Sequence, residues 1–340
     1  MGGPRVKRFA VLFLAALMAL CALTAQAEVL YKGEITKRYP NSSSKVYAKM
    51  DKEGPTLASY KPGTKIDITG IYPDWVSILV NGETGYVLRN RIDVLSTVDP
   101  AKTPPYPTME CDYYTYVDRK LDVKKEKDAG SDTLSTLTPG ARISIVGMEN
   151  GWAKVIWCKS NNAMYGYIDT RDLTEIYPVH RIAEDAKDGD VIATFTSFYN
   201  TNQDRITNLA VTGQYIAGVV QAGERVDFNS RVMPFTPGRG YKPAPVLVEE
   251  KTVSGYGGGS CQVSSTLWDA MMQLPGVTVL YRVSHGANGA SYLPHGMDCA
   301  SGNDTQNLIF RNDYDFPITI DVSTHDLALF VAIYKGEKAI

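Results

Sequence analysis

The amino-acid sequence predicts a multidomain chain in which two small all-β units precede a larger α+β domain. Three observations carry this. Between Val29 and Leu95 short alternating stretches are separated by turn residues, with no helical period between them. The same order of turn and aromatic residues returns 77 residues further on. From Arg181 onward, stretches with apolar residues three and four apart interleave with β-branched runs.

The chain has 340 residues, 44% hydrophobic and 21% charged, which is globular composition with room for two or three domains. Its first 27 residues read as a leader. Arg5, Lys7 and Arg8 precede an apolar run from Phe9 to Leu23, and Ala25-Gln26-Ala27 offers a small-residue cleavage site before Glu28. That run is short for a membrane span, so no span is expected after cleavage. Removing the leader takes the formal charge from −2 to −5. An acidic product lacks the electrostatic footprint of a nucleic-acid binder. Cys111, Cys158, Cys261 and Cys299 remain, in an export compartment that permits disulfides.

The first β unit is assigned to residues 28–97. Pro62-Gly63 turns into Lys65-Ile66-Asp67-Ile68, Trp75 to Val80 alternates, and Asn81-Gly82 is a strong hairpin signal before Gly85-Tyr86. A Pro-rich linker, 98–108, leads to the second unit, 109–177. There Pro139-Gly140, Arg142 to Ile145, Trp152 to Ile156 and Gly166-Tyr167 repeat the order, with about four residues inserted in the hairpin. This layout resembles the bacterial SH3-type domain. The resemblance implies a five-stranded, partly open barrel and a role in gripping wall peptides. Within the second unit, a Cys111–Cys158 bridge is expected to add about 4 kcal/mol on the loop-entropy estimate.

The third domain is assigned to 181–336. Val191 to Phe195 suggests a strand. Asn202 to Asp204 can cap a helix whose face carries Ile206, Leu209, Ala210, Gly213, Ile216, Ala217 and Val220, closed by Gly223. Residues 223–245 read as loop. Gly257-Gly258-Gly259-Ser260-Cys261-Gln262-Val263-Ser264-Ser265 then runs into a helix with Val263, Leu267, Ala270, Met271 and Leu274 on its inner face, ended by Pro275-Gly276. Val277 to Val283 is a strand leading to His285. Asn307 to Phe310 and Pro317 to Val322 are expected to pair, and Leu327 to Tyr334 supplies the last strand.

The series Phe195-Thr196-Ser197, Arg205-Ile206-Thr207-Asn208, Gly240-Tyr241-Lys242-Pro243-Ala244, the glycine-cysteine motif, His285, Ser291-Tyr292-Leu293-Pro294, Gly296-Met297-Asp298 and Phe310-Arg311-Asn312 is similar to the VanW family. That family takes its name from an accessory protein encoded beside glycopeptide-resistance genes, and the resemblance supplies no reaction. Where the family continues Asp-Ala-Thr, this chain has Asp298-Cys299-Ala300.

Cys261 sits where a helix's first turn favours a thiolate. With His285 as base and Asp298 to orient it, the chain holds the parts of a cysteine nucleophile for acyl transfer or hydrolysis. Gln262 and backbone N–H groups are candidate oxyanion donors. Gly257, Gly258, Gly259, Gln262, Ser264, Tyr241 and Tyr292 are candidate substrate-binding residues. Three other readings stand beside this one: a Cys261–Cys299 disulfide, a zinc site from Cys261, His285, His295 and Cys299, and a groove that binds without reacting. The expected partners are peptidoglycan or wall-precursor peptides, at the cell wall or envelope of a secreted protein. The alternative is a non-catalytic precursor-binding accessory protein. No cofactor or metal is expected, and the oligomeric state is not legible.

Overall fold

The computed structural model describes residues 27–37, 39–72, 75–98, 110–158, 165–248, 251–283, 285, 290–293 and 297–339. Nearly all of the leader and of the Pro-rich linker, the inserted hairpin tip and His295 lie outside them. The described residues are mostly β, with three α-helices and several separate antiparallel sheets. None of the described helices is long and apolar enough to cross a membrane.

The first unit is a single sheet of β1 (Tyr31–Ile35), β2 (Ser44–Tyr47), β3 (Thr56–Tyr60), β4 (Lys65–Ile71), β5 (Trp75–Val80), β6 (Glu83–Leu88) and β7 (Ile92–Thr97), in the order β3-β2-β6-β5-β4-β1-β7. Asn81 at φ 53° and Gly82 at φ 87° form the two-residue turn that pairs Val80 with Glu83, as their sequence predicts.

The second unit divides. β9 (Leu121–Lys124), β10 (Thr133–Leu137), β12 (Gly147–Glu149), β13 (Trp152–Ile156) and β14 (Tyr165–Asp169) form one sheet, and β8 (Tyr113–Tyr116), β11 (Arg142–Ile145) and β15 (Tyr177–Pro178) another. The repeat is visible in the packing. A Cβ on Gly85 would meet Val46 at 2.5 Å, and one on Gly166 would meet Val123 at the same distance, so equivalent glycines clear room for equivalent valines. Around Thr69 the register of β4 shifts against β5, and at Val146, 77 residues later, the strand breaks into β11 and β12. One bend thus keeps a single sheet in the first copy and splits the second into two. Seven strands in the first unit and eight in the second exceed the five expected of each.

The third domain contains β16 (Val191–Phe198), α1 (Gln203–Ile216), β17 (Gly218–Val220), β18 (Arg225–Asp227), α2 (Phe228–Val232), β19 (Pro243–Val248), β20 (Lys251–Tyr256), α3 (Ser260–Met271), β21 (Val277–Arg282), β22 (Leu308–Asn312), β23 (Ile318–His325) and β24 (Ala328–Lys335). They form a β16-β24-β23-β17 sheet, a β18-β22-β21 sheet and the β19-β20 hairpin. Asn202 caps α1 through Arg205 N at 2.9 Å, as expected.

Three sequence expectations change. The α1 helix stops at Ile216, because Ala217 is extended and Gly218 adopts φ 131°, so Val220 belongs to β17 and pairs with Ile318. β22 pairs with β18 and β21 rather than with β23. The cause is buried Asn312, whose side-chain amide binds the carbonyls of Val220, Gln221 and Phe316 and turns the chain out of the sheet. Pro243 and Pro245, read as loop, lie in β19, an edge position where a missing N–H is tolerated.

The units are fastened together. Arg142 of the second unit bonds Asp321 at 2.6 Å and Ser323 at 2.8 Å, with both charged side chains largely shielded, while Ser144 N donates to Thr196. Trp157 packs on Phe198 at 4.4 Å between ring centroids. One continuous apolar core joins Ile35, Ile68 and Ile78 of the first unit to Leu267, Trp268 and Phe310 of the third domain. The four cysteines beyond the leader are thiols, not disulfides. The expected Cys111–Cys158 bridge is not formed, and the Cys111 thiol interacts with Ser144 of its own unit and Thr194 of the third domain.

Candidate active site

The glycine motif is a tight turn wedged between β20 and α3. A Cβ on Gly258 would lie 2.5 Å from the Pro245 carbonyl oxygen, and Gly259 adopts φ 118° against the Arg205 backbone. These glycines are therefore demanded by neighbouring chain, and all three of Gly257, Gly258 and Gly259 are buried beside the cleft. Buried Asn208 locks the turn, donating to the carbonyls of Lys242 and Gly258 at 2.9 and 3.0 Å and accepting from Lys242 N at 2.7 Å. The result is that Cys261 occupies the first turn of α3, at the rim of a cavity of about 400 Å³.

Cys261 faces His285. The imidazole is close enough to the thiol to lower its pKa, and its Nδ1 meets Asp298 Oδ2 at 2.5 Å, while the thiol itself donates to Ser301 O at 3.3 Å. The same carboxylate oxygen accepts from His285 N, fixing both backbone and ring. Burial by itself raises the Cys261 pKa, but the hydrogen bond and charge of His285, with help from Ser301, outweigh it and bring the thiol down to about 7. Burial likewise disfavours imidazolium, yet Asp298 and then Cys261 hold His285 up at about 10. Between those values the stable form is a thiolate–imidazolium pair.

The segment bearing Asp298 is stapled to α3. Ser264 Oγ donates to Cys299 O at 2.7 Å and lies 3.1 Å from Ser301 Oγ, and Ser265 Oγ accepts from Cys299 N at 2.8 Å while bonding Cys261 O at 2.6 Å. Ser264 is thus a brace beneath the cleft. Ser301, which sequence reasoning missed, offers its N–H and hydroxyl to the Cys261 sulfur at 3.5 and 3.8 Å. The Cys299 thiol is fully buried, and burial pushes its pKa well up. No bridge ties it to Cys261.

Gln262 does not serve as the oxyanion donor anticipated from sequence. Its Nε2 donates to Ser197 Oγ and Phe198 O at 2.9 and 3.1 Å, and its Oε1 accepts from Arg205 at 2.7 Å. Ser260 N and Gln262 N are bonded to Gly257 O and Gly259 O, which leaves the Cys261 N–H, among the described residues, as the first-turn donor beside the nucleophile. Tyr241 is buried and donates to Val232 O at 2.9 Å, so it packs under the glycine turn instead of lining the cleft. Tyr292 does line it, with Ser265 Oγ 3.4 Å from its hydroxyl and the Arg205 guanidinium 5.9 Å from its ring centre. His295 lies outside the described residues, so the four-ligand zinc set is not assembled from described side chains.

Residues 204–334 match the family described as VanW like protein. The uncharacterized protein YoaR of Bacillus subtilis (strain 168) is 32% identical over 143 residues, 42% of this chain and 46% of that one. The chain therefore spans about half the length of that curated relative. Among solved structures, NlpC2 from Trichomonas vaginalis is 10% identical with TM-score 0.18, covering 56% of this chain and 58% of its own. An NlpC/P60 family protein from Bacillus cereus ATCC 10987 is 10% identical with TM-score 0.17, covering 88% and 93%. Likeness at that level carries no inference.

Proposed function

We propose that the protein, whose residues 204–334 match the family described as VanW like protein, is cell-wall related and acts on peptide or acyl bonds of wall peptides through Cys261. The observation that carries the reading is the buried His285–Asp298 hydrogen bond beside the Cys261 thiol, whose pKa His285 lowers, at a cleft. In the proposed reaction the thiolate attacks a carbonyl carbon and forms the C–S bond, while the C=O π electrons move to an oxyanion held by the Cys261 N–H. Collapse expels the amine, which takes its proton from His285, and leaves a thioester. Water or a second amine then attacks the thioester and gives its proton to His285, and the thiolate is released. The leader-like first residues and the duplicated N-terminal β units, whose sequence resembles SH3-type modules, support a secreted protein held at the wall.

The test is incubation of the full mature chain with soluble wall peptides, followed by mass spectrometry. The expected outcome is a cleaved or transferred product that a Cys261→Ala variant does not make. Peptides that bind yet remain intact with the wild-type protein would sink the reaction and leave a binding module.

A further inference from the structure

The cleft does not end at Cys261. The wall made by Arg205, Gln262, Ser291 and Tyr292 also bounds a second cavity, of about 440 Å³, whose far side belongs to the second N-terminal unit through Leu134, Trp157 and Cys158. That unit is held against the third domain by the Arg142–Asp321 pair and the Trp157–Phe198 contact, so the groove between them is a fixed feature of the fold. The duplicated unit makes the contrast plain: Leu57, the first-copy counterpart of Leu134, is 42% exposed to solvent.

Two features of this groove point to a ligand. First, among the described residues no aspartate or glutamate lines either cavity, and the shared wall carries Arg205. Its guanidinium touches Gln262 and the face of Tyr292, and among the described residues no carboxylate pairs with it. A local cation in an acidic chain favours an anionic ligand. Second, Leu134, Trp157 and Tyr199 give the groove an apolar floor beside that cation, which suits the chain of a peptide.

We propose that the groove between the second N-terminal unit and the third domain is a subsite for the carboxylate-bearing arm of a peptide, with Arg205 binding the carboxylate and Leu134 supporting the chain. This rests on the reading of the Cys261 cleft as a peptide site. It makes the second β unit part of the substrate site and gives it a task beyond tethering.

The test is calorimetric binding to the full mature chain carrying Cys261→Ala, so the result does not depend on whether the thiol reacts. The probes are the wall-type tetrapeptide l-Ala-γ-d-Glu-l-Lys-d-Ala and the same peptide with both carboxylates amidated. Amidation is expected to weaken binding by about tenfold or more, the scale of one charge-assisted hydrogen-bonded pair. Arg205→Gln is expected to bind both peptides as weakly as the parent binds the amidated one, while Arg205→Lys keeps part of the preference. Leu134→Ala is expected to weaken both peptides alike. Equal affinity for acid and amide, no binding of either, or a Leu134→Ala variant indistinguishable from its parent would overturn the subsite. Wall-peptide turnover by the wild-type chain, measured separately, would then still speak for Cys261.

Discussion

Replacing His285 by alanine tests the electrostatics of the site directly. In the wild-type protein the thiolate forms as pH rises through about 7, against an ordinary thiol value of 9. At pH 6 that difference gives roughly a hundredfold more thiolate. A thiolate of lower basicity is also less nucleophilic, by roughly eightfold across two pKa units, so Cys261 should still react about tenfold faster than an ordinary thiol at pH 6. In His285→Ala the imidazolium is gone and burial is opposed only by Ser301, so the midpoint should climb to 9 or above. Thiolate at pH 7 then falls from about half to under roughly 1%, and alkylation slows about sixfold or more once the gain in nucleophilicity is included. The assay is iodoacetamide labelling from pH 5 to 10, read at the Cys261 peptide by mass spectrometry. Cys261 is half-buried at the cleft, whereas Cys111, Cys158 and Cys299 are buried. A wild-type midpoint near 9, or one unmoved by His285→Ala, would refute the reasoning.

Asp298→Asn keeps the side-chain shape and removes the charge beside Nδ1, so the His285 midpoint should fall from about 10 toward 6.5, followed by NMR of the imidazole. Asp269 is fully buried in α3, its carboxylate oxygens lack hydrogen-bond partners among the described residues, and burial raises its pKa well above 3.8 despite Arg89 and Arg282 nearby. A raised folded pKa means that this residue's contribution is intact below about 4 and is lost as pH rises through the folded value. Asp269→Asn should therefore gain on the wild type between pH 4 and pH 8, by about 1 kcal/mol at the upper end, seen as a widening difference in Tm. At Gly276 a Cβ would collide with the buried Tyr314 ring, so Gly276→Ala should lower stability by about 1–3 kcal/mol in chemical denaturation.

The site was legible in sequence where chemistry is local. Cys261 follows a glycine run and begins an apolar-faced helix, and His285 follows a β-branched strand, so both could be named before their distance was known. What was hidden depends on contacts far apart in the chain. Ser301 reaches the sulfur only because Ser264 and Ser265, 34 to 37 positions away, hold the Cys299–Ser301 backbone. The Gln262 amide looked available, but its partners Ser197 and Phe198 lie on β16, more than 60 residues upstream. The repeat was readable from proline, glycine and tryptophan spacing, whereas the split of the second copy turns on the backbone at Val146, where side-chain identity gives no warning. At 217–220 the apolar period continued across a backbone that turns at Gly218, so periodicity alone overran the helix.

β16 has a consequence for how this protein can be cut, moved or inherited. The recognised interval starts at residue 204, after β16 has ended at Phe198. Yet all eight residues of β16 are buried, they pair along the length of β24, and Ser197 and Phe198 hold the side chain next to the nucleophile. A fragment or gene fusion confined to residues 204–334 would carry the thiol and its histidine while leaving β24 with an open, strongly apolar edge. The smallest portable version of this chemistry therefore includes β16, and the boundary drawn by resemblance falls inside the boundary drawn by folding.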